Sequence, residues 1–204
     1  MPGVEDYGWV NVGGLAGHGY VCGYCGHNVG SNTGWSSIRM SGWRVYLCPL
    51  CGKPSFFENG PMSPGVPYGP QVAFLPNDIE TLYEEARKCY GVNAYSSIVL
   101  TCRKILMHVA VEEGAPPNKN FVEYVDYLET NGYIPVKAKS WVDQIRQKGN
   151  QATHEIKLVS QGEAQEAISF TEMLLKNVYE FPARAATSGS SGTTAQPGTP
   201  APTT

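Results

Sequence analysis

Four cysteines in two short loops are the residues of this chain best suited to chemistry. They stand as Cys22-Gly-Tyr-Cys25-Gly-His27 and Cys48-Pro-Leu-Cys51-Gly-Lys53, with 22 residues between the loops. A Cys-x-x-Cys loop aims two thiolates at one point, and the glycine after it permits the tight turn beneath a metal. Two such loops predict one Zn²⁺ held by Cys22, Cys25, Cys48 and Cys51. Four thiolates complete a tetrahedron, which leaves no position for water or substrate, so this metal is structural. The competing readings are a disulfide pair in a secreted domain or a redox Cys-x-x-Cys, and nothing in the sequence suggests secretion. His27 could replace one cysteine, but four already suffice.

A second constellation lies in Trp141-Val-Asp-Gln-Ile-Arg146-Gln-Lys-Gly-Asn150-Gln-Ala-Thr-His154-Glu155. If one helix runs through Gly149, then Arg146, Asn150 and His154 follow each other at steps of four and form one polar stripe. Arg stabilises phosphoryl charge and His moves a proton near neutral pH, so the stripe could serve a phosphate. The structural alternative stands beside it. Gly149-Asn150 can mark a kink or break, with Arg146 and His154 bonded to Glu155, Asp143 or neighbouring helices.

The elements that must position these residues follow from periodicity. Between the cysteine loops, Trp35–Met40 and Trp43–Leu47 read as strands joined at Ser41-Gly42, with Gly19–Cys22 leading in as a third. Trp43, Val45 and Leu47 share one face. The set resembles a zinc ribbon over residues 18–56. Residues 54–76 contain six prolines and predict an extended linker with little regular structure.

Beyond Pro76 the period becomes helical. One helix starts at Asn77 or Asp78 and carries Ile79, Leu82, Ala86 and Cys89 inward. A second carries Ile98, Cys102, Ile105 and Val109. A third runs from about Lys119 to Glu129 with Phe121, Val125 and Leu128 inward. A fourth carries Trp141, Ile145 and Ala152. A fifth runs from Gln161 to about Tyr179, buries Ala167, Phe170, Leu174 and Val178, and stops before Pro182. Cys89 and Cys102 fall on these stripes as small hydrophobes. Ser188–Thr204 has no charge and little to bury, which predicts disorder.

Charge narrows the function. Residues 1–76 hold Arg39, Arg44 and Lys53 against Glu5, Asp6 and Glu58, so the rest of the chain carries the net −3. A zinc tetrathiolate adds a further −2. Phosphate binders usually show a basic patch, so any RNA or DNA contact must be local. No stretch approaches a membrane span, and the first residues lack a signal-peptide pattern, which predicts a cytoplasmic protein.

Three segments together resemble the bacterial domain-of-unknown-function family 4145. They are Leu75-Pro-Asn-Asp-Ile-Glu-Thr-Leu-Tyr-Glu-Glu-Ala86, then Ala94-Tyr95 through Arg103-Lys104-Ile105-Leu106, then Ile145-Arg146 through Gly149-Asn150 to His154-Glu155. The likeness covers roughly residues 75–183. That family looks like a branch of the HEPN helical superfamily of bacteria and phages. It implies a helical bundle, homodimerisation through that bundle, and a role in defence or RNA-related pathways. Its ribonuclease relatives cut RNA without metal, using an Arg and a His from one helix. That would make Arg146, Asn150 and His154 catalytic here, although seven residues separate Arg146 from His154, more than usual. Many HEPN-like members bind without catalysis.

The expected architecture is mainly α: a HEPN-like bundle with a small N-terminal β zinc ribbon. The expected division is residues 1–56 ribbon, 57–76 linker, 77–183 helical domain and 184–204 tail. The expected function is an accessory protein that binds nucleic acid, or a protein partner through the ribbon. The alternatives are a metal-independent ribonuclease and a non-catalytic structural subunit.

Overall fold

The computed structural model describes residues 13–138, Trp141 and residues 158–189. Five strands come first: β1 (Gly13–Val21), β2 (Asn28–Ser36), β3 (Trp43–Leu47), β4 (Pro54–Glu58) and β5 (Met62–Ser63). They pair in chain order as one antiparallel sheet. The register sets Tyr20 opposite Val29, Trp35 opposite Val45, Val45 opposite Phe56 and Tyr46 opposite Ser55. Side chains alternate along a strand, so Tyr20, Tyr46 and Phe57 meet on the face that leads to the cysteines. Their rings pack with His18: His18 stacks on Tyr46 at 5.1 Å, and Phe57 stands edge-on to Tyr20 at 5.2 Å.

The expectation of a mainly α chain is corrected here. Over the described residues the protein is mixed, 46% helical and 19% strand, with a five-stranded sheet where a small ribbon was expected. Sequence patterning underestimates the sheet because β1 and β2 are rich in glycine, and β4 begins on a proline. Proline is admissible at the first residue of a strand, where no ladder hydrogen bond is lost.

The helices are α1 (Asn77–Tyr90), α2 (Tyr95–Glu112), α3 (Phe121–Thr130), α4 (Gln161–Leu175) and α5 (Phe181–Gly189). The second stripe holds in full, with Ile98, Cys102, Ile105 and Val109 all buried. So does the third, with Phe121, Val125 and Leu128 inward. On α1 the buried set is Ile79, Tyr83, Ala86 and Arg87, while Leu82 and Cys89 are only partly covered. Trp141 meets Phe170 edge-on at 5.2 Å; Ile145 and Ala152, expected on the same helix, lie outside the described residues.

Two capping boxes fix helix starts. Asn120 Oδ1 accepts from the Glu123 amide at 3.0 Å, and Glu123 Oε2 accepts from the Asn120 amide at 2.9 Å. Ser160 and Glu163 repeat the arrangement at α4. Each box satisfies two amides that a helix start would otherwise orphan.

The last helix does not stop before Pro182. α4 passes through one wide π turn (Lys176–Glu180) and continues as α5. Proline has no N–H and its ring crowds the carbonyl four residues back, here Val178. The wider turn accommodates that crowding without ending the helix.

The proline-rich stretch 54–76, expected to have little regular structure, supplies β4 and β5 at its start. Residues 64–76 contain neither helix nor strand, but they are strapped to the helices. Arg87 Nε donates to the Gly69 carbonyl at 3.1 Å, and its second guanidinium nitrogen does so at 2.6 Å. Tyr83 Oη donates to the Pro70 carbonyl at 3.2 Å. Val72 is buried in the helical core. The Ala73 amide donates to Glu180 Oε2 at 3.1 Å, and Glu180 Oε1 accepts from Arg184 at 2.9 Å.

Candidate metal centre

Each cysteine loop leaves one strand and leads into the next. The first connects β1 to β2, and the second connects β3 to β4. The two have the same backbone design. The Cys22 amide donates to the His27 carbonyl at 2.9 Å, and the Gly26 amide donates back to Cys22 at 2.8 Å. In the second loop Cys48 donates to Lys53 at 3.0 Å, and Gly52 donates to Cys48 at 2.8 Å. Gly26 and Gly52 sit at φ +71° and +67°, the left-handed region that glycine enters without penalty. Antiparallel pairing of β1–β4 then brings both loops to the same end of the sheet.

The four sulfurs of Cys22, Cys25, Cys48 and Cys51 lie within 4.8 Å of one another. Cys22 Sγ is 3.8 Å from Cys51 Sγ, and Cys25 Sγ is 3.8 Å from Cys48 Sγ. A tetrahedron with metal–sulfur bonds of about 2.3 Å has edges of about 3.8 Å. A disulfide needs about 2.05 Å. The donor set and its spacing therefore fit a tetrahedral, thiophilic divalent cation.

Electrostatics point the same way. Burial pushes the Cys51 thiol up to about 12, and burial also raises Cys25. At Cys48 burial acts against ionisation too, but amide donors from Cys51 and Leu50 outweigh it and hold the thiol below its ordinary value. Four crowded sulfurs cannot all carry charge unless a cation sits among them. Tyr20 completes the surroundings: burial raises its phenol, and the charges of Cys48 and Cys22 raise it further.

His27 is not part of the cluster. Its Nδ1 lies 2.9 Å from the Cys25 carbonyl oxygen, so the ring braces its own loop. Cys102 is buried in the helical core, where burial pushes its thiol up to about 12, and Cys89 is half-buried and raised for the same reason. Neither touches the centre, as the helical stripes imply. Arg146, Asn150 and His154 lie outside the described residues.

Several contributing residues carry weaker sequence signals. Arg87 lies beside the apolar stripe read for α1, and nothing in the sequence names its buried partner. Gly23, Gly65 and Gly91 are ordinary in sequence, and only their backbone approach distinguishes them.

Among the described residues no helix is long and apolar enough to cross a membrane. A sequence model of the family described as domain of unknown function (DUF4145) matches residues 84–191. The match begins within α1, so the sheet and its cysteines precede it. No curated protein and no solved structure gives a match.

Proposed function

This chain belongs to the DUF4145 family, and from that premise we propose that it is an accessory binding protein with a zinc-held recognition sheet. The observation that carries the reading is the four-sulfur cluster with its two 3.8 Å edges. Zn²⁺ suits this site because it takes four thiolates tetrahedrally and has no redox chemistry of its own. Bound there, it would supply cross-linking and charge compensation. With all four positions filled by sulfur it has no place for a substrate, which favours a binding role for the sheet. Cysteines that must stay reduced to hold a metal favour a reducing, cytoplasmic setting.

The sheet then acts as a zinc ribbon that meets a partner, and the helices act as a HEPN-like, dimerising body. The acidic balance of the chain favours a protein partner over an extended nucleic-acid track. The place in a bacterial or phage defence or RNA-related pathway rests on the family likeness alone.

The decisive experiment uses purified full-length protein. Metal analysis is expected to return one zinc per chain, and incubation with RNA is expected to leave the RNA intact. Cleavage that persists in chelator and disappears in His154→Ala would replace this reading with a metal-independent ribonuclease using Arg146, Asn150 and His154. Loss of a general acid–base group costs about 10²–10⁴ in rate, which such an assay resolves.

A further inference from the structure

The first cysteine loop touches more than its own sheet. Gly23, directly after the ligand Cys22, is buried. A Cβ added there would stand 2.2 Å from the Pro64 carbonyl oxygen and 2.7 Å from that of Gly65. Gly65 in turn faces Gly91, the residue that follows α1. The Gly65 amide donates to the Gly91 carbonyl at 2.7 Å. A Cβ on Gly91 would stand 2.3 Å from the Gly65 oxygen, and one on Gly65 would stand 2.9 Å from the Gly91 oxygen.

Every atom met is backbone, so no side chain can rotate aside. None of the three glycines has a left-handed φ, so what the site demands is space. Three backbones are therefore stacked in the order metal loop, strap, helix end. Gly91 opens the turn between α1 and α2, where Ala94 donates to Cys89 at 3.0 Å and Asn93 donates to Tyr90 at 3.1 Å. The second loop has no such link: Pro49, the counterpart of Gly23, is exposed.

We propose that the metal centre is a rivet between the two regions. By fixing the Cys22–Cys25 loop, bound zinc holds Gly23 against Pro64–Gly65 and Gly65 against Gly91. It thereby sets how the sheet sits on the α1–α2 turn. Without the metal, the Cys22–Cys25 loop keeps its own backbone bonds but loses its tie to the Cys48–Cys51 loop. The loop relaxes, the strap loses its seat, and the two regions move independently. Zinc occupancy is then legible at the helices, some distance along the chain from any ligand. This inference rests on reading the four cysteines as a zinc site.

Hydrogen exchange on the full-length, reduced, zinc-loaded protein tests it. Removal of zinc by a chelator is expected to speed exchange in peptides covering residues 62–68 and 89–95 by about tenfold or more. The core of α2, residues 102–110, should stay as protected as before. Gly23→Ala should retain its zinc and yet show the faster exchange in both peptides. Gly17→Ala, at a position with nothing within 4 Å, should behave as the parent. Gly91→Ala applies the same pressure from the helical side, remote in sequence from the ligands, and should loosen residues 62–68 with zinc still bound. Unchanged exchange in residues 89–95 after zinc removal would overturn the rivet, as would parent-like exchange in zinc-loaded Gly23→Ala or Gly91→Ala. A protein that binds no zinc overturns both this inference and the reading it rests on. One that binds zinc without the coupling overturns the rivet alone.

Discussion

The sheet and the helices bury very different cores. The sheet gathers Tyr20, Cys22, Val29, Tyr46, Cys48 and Phe57, while the helices enclose a continuous cluster that includes Ile98, Ile105, Leu128, Phe170 and Leu174. Two of the six sheet residues are cysteines of the metal centre. The rest are mostly aromatic rings in edge and stacked contact. A core of that size leaves little after the conformational entropy of its strands is subtracted. The helices have apolar volume to spare, so they depend on packing, whereas the sheet would depend on the proposed metal cross-link. A single chain can thus place two kinds of stability side by side.

The largest expected effect breaks the sheet side of this comparison. Structural zinc contributes about 10–16 kcal/mol of apparent binding energy in small zinc-folded units. Cys48→Ser should therefore remove the dispersed sheet resonances from an NMR spectrum and leave the helical far-UV signal nearly intact. A variant that keeps its sheet would show that the aromatic cluster suffices by itself.

A smaller effect breaks the other side. Phe170 is fully buried and meets Trp141 edge-on. Phe170→Ala should cost about 3–5 kcal/mol in chemical denaturation followed by helical signal. Zinc stoichiometry should stay at the parent value. Loss of zinc in this variant would mean that the two cores fold as one.

How much of this was legible in the sequence differs by region and for physical reasons. The cysteines were readable because metal ligation fixes ligand type and spacing within a few residues. The α2 stripe was readable because a helix repeats its inward face every turn, and tertiary packing kept that phase from Ile98 to Val109. The extent of the sheet was not, since glycine-rich strands carry no strong alternation. The strap was half legible. Its prolines announce an extended path, but the groups that hold it, Arg87, Tyr83 and Glu180, are remote in sequence and mark no period. The Arg146, Asn150 and His154 stripe lies outside the described residues, so its arrangement remains a proposal.

The smallest expected effect sharpens the comparison at the strap. The amide of Ala73 holds the Glu180 carboxyl below its ordinary value of 4.5, with Arg184 assisting and burial opposing. A lowered carboxyl value means that this contribution is complete above the unfolded value and fades as pH falls through the folded one. Hydrogen exchange of residues 70–76 should therefore quicken on acidification below about pH 4 beyond the intrinsic trend. Glu180→Gln should remove that excess pH dependence. An identical profile in parent and variant would detach Glu180 from the strap.

One further consequence belongs to the π turn. An extra residue in a turn rotates all that follows by about 100° around the helix axis. Before Lys176 the helix is in phase with the core, as Phe170 and Leu174 show; after it, Glu180 turns toward the strap and Phe181 faces solvent. The turn behaves like a phase slip in a periodic signal, which lets one continuous rod address two listeners in different directions. What that stretch must preserve is its count of residues more than their kind, because losing one would restore a single phase and leave the strap unaddressed.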